Sequence, residues 1–178
     1  SISDMCQGAV DYGYSELGFA EHVDFDPNDL GYGFFDYDGY SCAIQKAKEA
    51  FDGILVIHKC IEVDYQHRFE QKIRDWLKEK EFDFIIGSVH YLNGDYIDHR
   101  IVERGPLGKI YDNYFLEVTR SAESGLFDVI GHFDVVRRYL TAGESQLDEG
   151  SFWTGVQEVF GEILHQGVYL EINGKAFS

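Results

Sequence analysis

The sequence predicts an α/β domain built on a parallel sheet and curled in the manner of an α/β barrel. Short, nearly continuous apolar runs alternate with helical patterns along the chain, which marks parallel strands covered by crossover helices. No glycine-rich phosphate loop follows any of those runs, which counts against a nucleotide-binding doubly wound sheet. Histidines and carboxylates also stand at successive strand ends, as they do where a barrel gathers its functional groups on one face.

The elements follow in order. Ile2 to Tyr12 reads as a helix, with Ser3 placed to cap it before Asp4. Leu17-Gly18-Phe19-Ala20 fits a buried strand, and the Gly-, Asp- and Tyr-rich stretch from Val23 to Tyr40 reads as a long loop placed to cover the site. Ser41 to Phe51 is helical and stops at Gly53. A β-branched strand runs from Ile54 to Val63, and Phe69 to Lys80 carries Phe69, Ile73, Trp76 and Leu77 on one helical face. Phe82 to Val89 is a strand, Tyr111 to Ser124 a helix, Phe127 to Gly131 a strand, Phe152 to Leu164 a helix, and Val168 to Ile172 the last strand. Five strands thus alternate with helical segments. Neither a repeat nor a low-complexity tract divides them, so residues 1–178 form one domain.

Composition excludes several classes of function. The chain has 178 residues, with 15 Lys and Arg against 32 Asp and Glu, for a net charge of −17. So acidic a surface repels nucleic acid and anionic membrane, and neither is an expected partner. Hydrophobic and aromatic contents of 44% and 16% exclude disorder. No apolar run approaches the roughly 18 residues a membrane span needs, and SISDMCQGAV lacks the basic start and apolar stretch of a signal peptide. Cys6, Cys42 and Cys60 have no metal-like spacing and are odd in number, so no disulfide framework is expected. A cytoplasmic location follows.

The ionisable residues carry the functional reading. His22 follows the first strand, Glu62 ends the second, His90 follows the third and His132 follows the fourth. Glu171 and Asn173 end the last apolar run. Taken singly, each has an ordinary use as a hydrogen-bonded or solvated residue. Together the three histidines and Glu62 form the imidazole and carboxylate ligand set of zinc, manganese or iron sites with open positions. His58, His67, His99 and His165 lie inside a strand, at a helix start, in a loop and at a helix end, and read as structural or solvated. Glycines precede His90 and His132 closely, as where backbone passes near a bound group. Asp134 either orients a ligand or caps the helix beginning near Val135. Arg137 and Arg138 are candidates for a substrate anion, because guanidinium matches phosphate geometry, with a surface salt bridge as the ordinary alternative.

Phe19-Ala20-Glu21-His22, Ile61-Glu62-Val63-Asp64-Tyr65, Gly87-Ser88-Val89-His90-Tyr91 and Gly131-His132-Phe133-Asp134 resemble, in order, four motifs of the PHP (polymerase and histidinol phosphatase) superfamily. The segments 127–139 (FDVIGHFDVVRRY) and Glu171-Ile172-Asn173 are most similar to its histidinol-phosphate phosphatase branch. The resemblance implies a distorted (βα)7 TIM-like barrel and two or three divalent ions of Zn, Mn or Fe. It implies that Glu62 bridges two metals, that His90 and His132 complete one site, and that His22 serves a third. The implied reaction is hydrolysis of L-histidinol phosphate by a metal-bound hydroxide, an arginine helping to neutralise the phosphoryl oxygens. Another small phosphate ester, phosphotyrosine, or a noncatalytic metal-binding role are the alternatives within the superfamily. The family opens with a His-x-His pair and closes with an Asp-x-His motif, and these 178 residues contain neither. The resemblance therefore implies a piece of a longer protein, whose first and last strands are missing and in which only the Glu62–His90–His132 site is intact.

Overall fold

The computed structural model describes residues 1–140 and 149–172. Its first helix, α1 (Ile2–Asp11), is set by a capping box: Ser1 Oγ accepts from the Asp4 amide at 3.3 Å, and the Asp4 carboxylate accepts from the Ser1 amino group at 3.0 Å. The cap is therefore Ser1 and not the expected Ser3, because only a side chain three residues ahead of Asp4 can exchange bonds with it. Strand β1 spans Glu16–Val23, α2 Tyr37–Ala50, β2 Val56–Asp64, α3 Glu70–Leu77 and β3 Phe84–Ser88. A hairpin of β4 (Tyr91–Leu92) and β5 (Asp95–Tyr96) follows, then α4 (Leu107–Glu123), β6 (Val129–Ile130), α5 (Val135–Arg138), α6 (Glu149–Gln166) and β7 (Tyr169–Leu170).

All five expected strands are present, with shifted ends. Strand β1 is longer than expected because its pairing with β2 runs on through His22↔Glu62 and Val23↔Val63. Helix α2 starts four residues early because Asp36 caps it, accepting from the Gly39 amide at 3.1 Å. The β4–β5 hairpin was not expected. Its turn is Asn93-Gly94, both with positive φ (54° and 89°), the geometry of a two-residue hairpin turn. Its strands of two residues are too short to show any periodicity.

The large sheet is parallel throughout, in the order β1-β2-β3-β6-β7. Each crossover advances one place in the same direction. Right-handed crossovers must then lay every helix on the same face of the sheet, whereas a doubly wound sheet reverses its order midway. The side chains agree. On β2, Ile57 packs with α1 and α2, while Ile61 and Val63 pack with α3, α4 and α6. Glu62 and Asp64 alternate to the other face. The order has the sense of a curled barrel wall, with β1 and β7 at its edges among the described residues. Tyr40 pins the first two strands together, its hydroxyl donating to the carbonyls of Phe19 at 2.6 Å and Cys60 at 2.9 Å. No described helix is long and apolar enough to cross a membrane.

Two Phe-Asp pairs fix where the strands begin. Asp83 Oδ2 accepts from the Lys59 amide at 2.7 Å and from Lys48 Nζ at 3.0 Å, while the Asp83 amide donates to the Lys59 carbonyl at 2.8 Å. Asp128 repeats this on the next strand, accepting from the Ile85 amide at 2.8 Å and donating to the Ile85 carbonyl at 2.9 Å. Burial pushes the Asp83 carboxyl up, but the Lys59 amide and the Lys48 ammonium outweigh it and hold its pKa below the usual value. A depressed carboxylate contributes stability fully above its unfolded pKa and loses it as pH falls through the folded one. Asp83→Ala is expected to destabilise the protein by about 1–2 kcal/mol near neutral pH. Urea midpoints should show the gap to wild type closing below about pH 4; a constant gap contradicts this.

Candidate metal centre

Parallel strands deliver their carboxyl ends to one edge, and four of them bring side chains together there. Glu62 lies on β2, in register with His22 on β1 and Ile86 on β3. His90 stands two residues beyond β3 and His132 two beyond β6. Glu62 Oε1 is 3.8 Å from His90 Nε2 and 3.6 Å from His132 Nε2, and Glu62 Oε2 is 3.4 Å from His22 Nε2. Ligand atoms of Glu62, His90 and His132 all lie within 4.8 Å of one another.

The donor set fits a cation. Glu62 Oε1 and His132 Nδ1 are buried with no hydrogen-bond partner among the described residues, which is costly for an isolated carboxylate oxygen. The separations around Oε1 are too long for hydrogen bonds. Two atoms bound at ~2.0–2.2 Å in a tetrahedral site lie about 3.3–3.6 Å apart, and these groups come close to that spacing. Burial pushes the Glu62 carboxyl up, but the contacts of His132 and Ser88 and the fields of His22 and His90 outweigh it, taking its pKa to about 2. The group is an anion at any ordinary pH.

The sequence reading missed Asp64, which shares the Glu62 face of β2 and is 1% exposed. Its Oδ1 accepts from the His90 amide at 3.1 Å and lies 3.2 Å from His90 Nδ1. That contact keeps the proton on Nδ1 and turns the Nε2 lone pair toward Glu62. Burial alone would lower the His90 pKa, but Asp64, Glu62 and Asp24 together raise it. Asp24 also went unnoticed: burial, then repulsion from Asp29 and Asp64, push its carboxyl up to about 6 against the pull of His22 and His90. The strand-period alternation of Glu62-Val63-Asp64 was the available signal for Asp64.

The remaining candidates fall in different places. Arg137 lies over the Phe152 ring at 4.4 Å, and Arg138 Nη2 is 3.4 Å from Asp134 Oδ1. No contact joins either arginine to the cluster among the described residues. Asp134 precedes α5 without a side-chain cap bond, because its carboxylate faces Arg138. Glu171 accepts from the His132 amide at 2.9 Å, so the last strand end supports this ligand's backbone. Asn173 lies outside the described residues. The glycines have a packing reason: a Cβ at Gly131 would collide with Ser88 Oγ, and one at Gly87 would meet the Phe127 ring at 2.5 Å. The loop after β1 walls a cleft of about 440 Å³ beside His22, with Asp24, Phe34 and Phe35 of the loop in its lining.

A carboxylate among imidazoles at the carboxyl edge of a one-way parallel α/β sheet defines a barrel-type domain with a candidate metal centre. The chain matches the PHP domain family over residues 1–175, and it belongs to that family. It is 31% identical over 146 residues to a Deinococcus radiodurans protein named "Probable histidinol-phosphatase", covering 76% of this chain and 55% of that one. A Clostridium acetobutylicum protein of the same name is 26% identical over 172 residues, covering 93% and 65%. This chain thus spans less than two thirds of those relatives. Its fold is similar to that of the Lactococcus lactis histidinol phosphate phosphatase crystallised with zinc, L-histidinol and phosphate, with a TM-score of 0.84 and 21% identity over 94% of this chain and 64% of that one.

Glu62→Gln keeps the shape and removes the charge. Its metal affinity, read by chelator competition, should fall by more than the about 10–100-fold that loss of an outer-shell partner costs; unchanged affinity contradicts a metal centre here. Gly131→Ala should displace His132 by pushing on Ser88 and weaken binding of the same ion.

Proposed function

We propose that this domain carries the reaction centre of a divalent-metal-dependent phosphomonoesterase whose substrate is L-histidinol phosphate. The observation that carries this is the buried Glu62 oxygen, without a hydrogen bond and faced by the Nε2 atoms of His90 and His132. Membership of the PHP family and the names of the relatives narrow the chemistry to phosphate ester hydrolysis. A role in histidine biosynthesis in the cytoplasm belongs to the same proposal.

In this reading Glu62, His90 and His132 hold one ion, and His22, beside the second Glu62 oxygen, serves another; two or three ions of Zn, Mn or Fe are involved. Bound metal supplies positive charge to the phosphoryl oxygens and makes a water acidic enough to attack near neutral pH. Glu62 stays ionised and Asp64 holds the His90 proton on Nδ1, so both present lone pairs to the cation. The phosphorus–oxygen ester bond breaks, releasing L-histidinol and inorganic phosphate. A protein of net charge −17 repels an anionic substrate at long range, so capture depends on local positive charge. Arg137 and Arg138 are the proposed phosphate-binding pair. Arg138, whose contact with Asp134 is long, is the freer to turn toward substrate.

The test is phosphate release from L-histidinol phosphate by the purified protein, before and after chelation and with metal restored. Activity abolished by chelator and recovered with metal is expected. Faster turnover of another phosphate ester or of phosphotyrosine contradicts the substrate, and inactivity of the metal-loaded protein contradicts catalysis. Arg138→Ala should raise KM by about tenfold or more, the worth of one charge-assisted hydrogen bond; an unchanged KM removes Arg138 from the phosphate site.

A further inference from the structure

Beyond Asp64, the support of His90 continues through residues to which neither the family motifs nor the site geometry has yet given a role. The Gln66 side-chain amide donates from Nε2 to Asp64 Oδ2 at 3.1 Å, and its Oε1 accepts from Arg68 Nε at 3.0 Å and Nη2 at 2.6 Å. Only one orientation of the amide satisfies both neighbours, since a carboxylate can only accept and a guanidinium can only donate. Arg68 Nη2 also donates to Asp26 Oδ2 at 2.5 Å, and Asp26 Oδ1 accepts from the Asn28 amide at 3.0 Å and its Nδ2 at 3.1 Å. Asp26, Asp64 and Gln66 are 1%, 1% and 5% exposed. Gly94, in the hairpin turn, packs against the guanidinium, where a Cβ would lie 3.1 Å from Nη1.

A continuous chain therefore runs Asn28–Asp26–Arg68–Gln66–Asp64–His90, from the loop after β1 through the end of β2 and the residues just past it to His90, two residues beyond β3. Asp26, Asp64 and Gln66 are buried and bonded along this chain, while the Arg68 side chain is half exposed and also lies over the Phe69 ring, so the chain fixes the rotamers of its buried members. We propose that Gln66 and Arg68 are positioning residues of the metal centre. Acting through Asp64, they hold the His90 ring so that Nε2 faces Glu62, and Arg68 ties the loop that walls the cleft beside His22 to the same ligand. This rests on the reading of Glu62, His90 and His132 as metal ligands. Neither Gln66 nor Arg68 touches the ion or the substrate.

The test titrates cobalt(II) into metal-free wild type, Gln66→Leu and Arg68→Met against a competing chelator, recording the visible absorption bands. Wild type should bind cobalt; both variants should bind about 10–100-fold more weakly, as outer-shell losses do, with altered bands. Arg68→Lys should recover only part of the affinity, because an ammonium cannot span Gln66 and Asp26 as the fork does. Wild-type affinity and bands in Gln66→Leu and Arg68→Met overturn the proposal. Gln66→Leu leaves the Arg68–Asp26 pair in place and decides the matter if Arg68→Met does not fold. If wild type binds no cobalt, the metal reading fails. Nitrogen-15 NMR of metal-free protein, at a pH where His90 is neutral, then judges the chain alone. A proton fixed on Nδ1 in wild type and shared between both nitrogens in Gln66→Leu supports it, and the same tautomer in both overturns it.

Discussion

A carboxylate that must stay ionised while mostly buried is the constraint on which this structure depends. Glu62 occupies β2, next to the edge strand among the described residues, with β1 on one side and β3 on the other. Its charge can be kept out of water only if positive charge or donors surround it. Among the described residues, three imidazoles and Ser88 surround it. Because all the large-sheet strands are parallel, their carboxyl ends reach one edge, and residues far apart in sequence reach Glu62 without any long loop. The one-way strand order clears the Glu62 face of helices and leaves the opposite face to the apolar core.

The same economy governs the supports. Carboxylates recur wherever a strand end needs fixing: Asp83 and Asp128 at strand starts, Asp64 on the His90 amide and ring, Glu171 on the His132 amide. Part of the excess acidity is thus structural, spent on backbone N–H groups rather than on long-range fields. Beside the candidate centre, burial first and repulsion from Asp29 and Asp64 second raise the pKa of Asp24, so the surroundings there are partly negative. Such a surrounding suits a cation and disfavours a bare phosphate ester.

Much of this was legible in the sequence. Short apolar runs gave the five strands, and histidines placed just after three of them, with Glu62, gave the cluster, because strand direction alone decides where those ends meet. The misses have physical reasons. Ser1 in place of Ser3 is a question of which hydroxyl lies three residues ahead of Asp4, and the β4–β5 hairpin consists of two-residue strands whose signal was the Asn93-Gly94 pair. Asp64 was in view within a quoted motif but gained a role only when the β2–β3 register brought it beside His90. The arginines stand apart: residue type suggested an anion site, and their present contacts, Arg137 over Phe152 and Arg138 beside Asp134, carry no signal in the sequence. Gln66 and Arg68 carried no sequence signal, since a relay through an amide exists only in three dimensions.

The central claim is that a cation completes the Glu62 cluster. Anomalous diffraction at the zinc, manganese and iron absorption edges, from crystals of the protein purified without chelator, tests it most directly. The account predicts an anomalous peak about 2.0–2.2 Å from Glu62 Oε1, His90 Nε2 and a His132 nitrogen. No peak at any edge, with Glu62 accepting hydrogen bonds from protonated His90 and His132 instead, would contradict it.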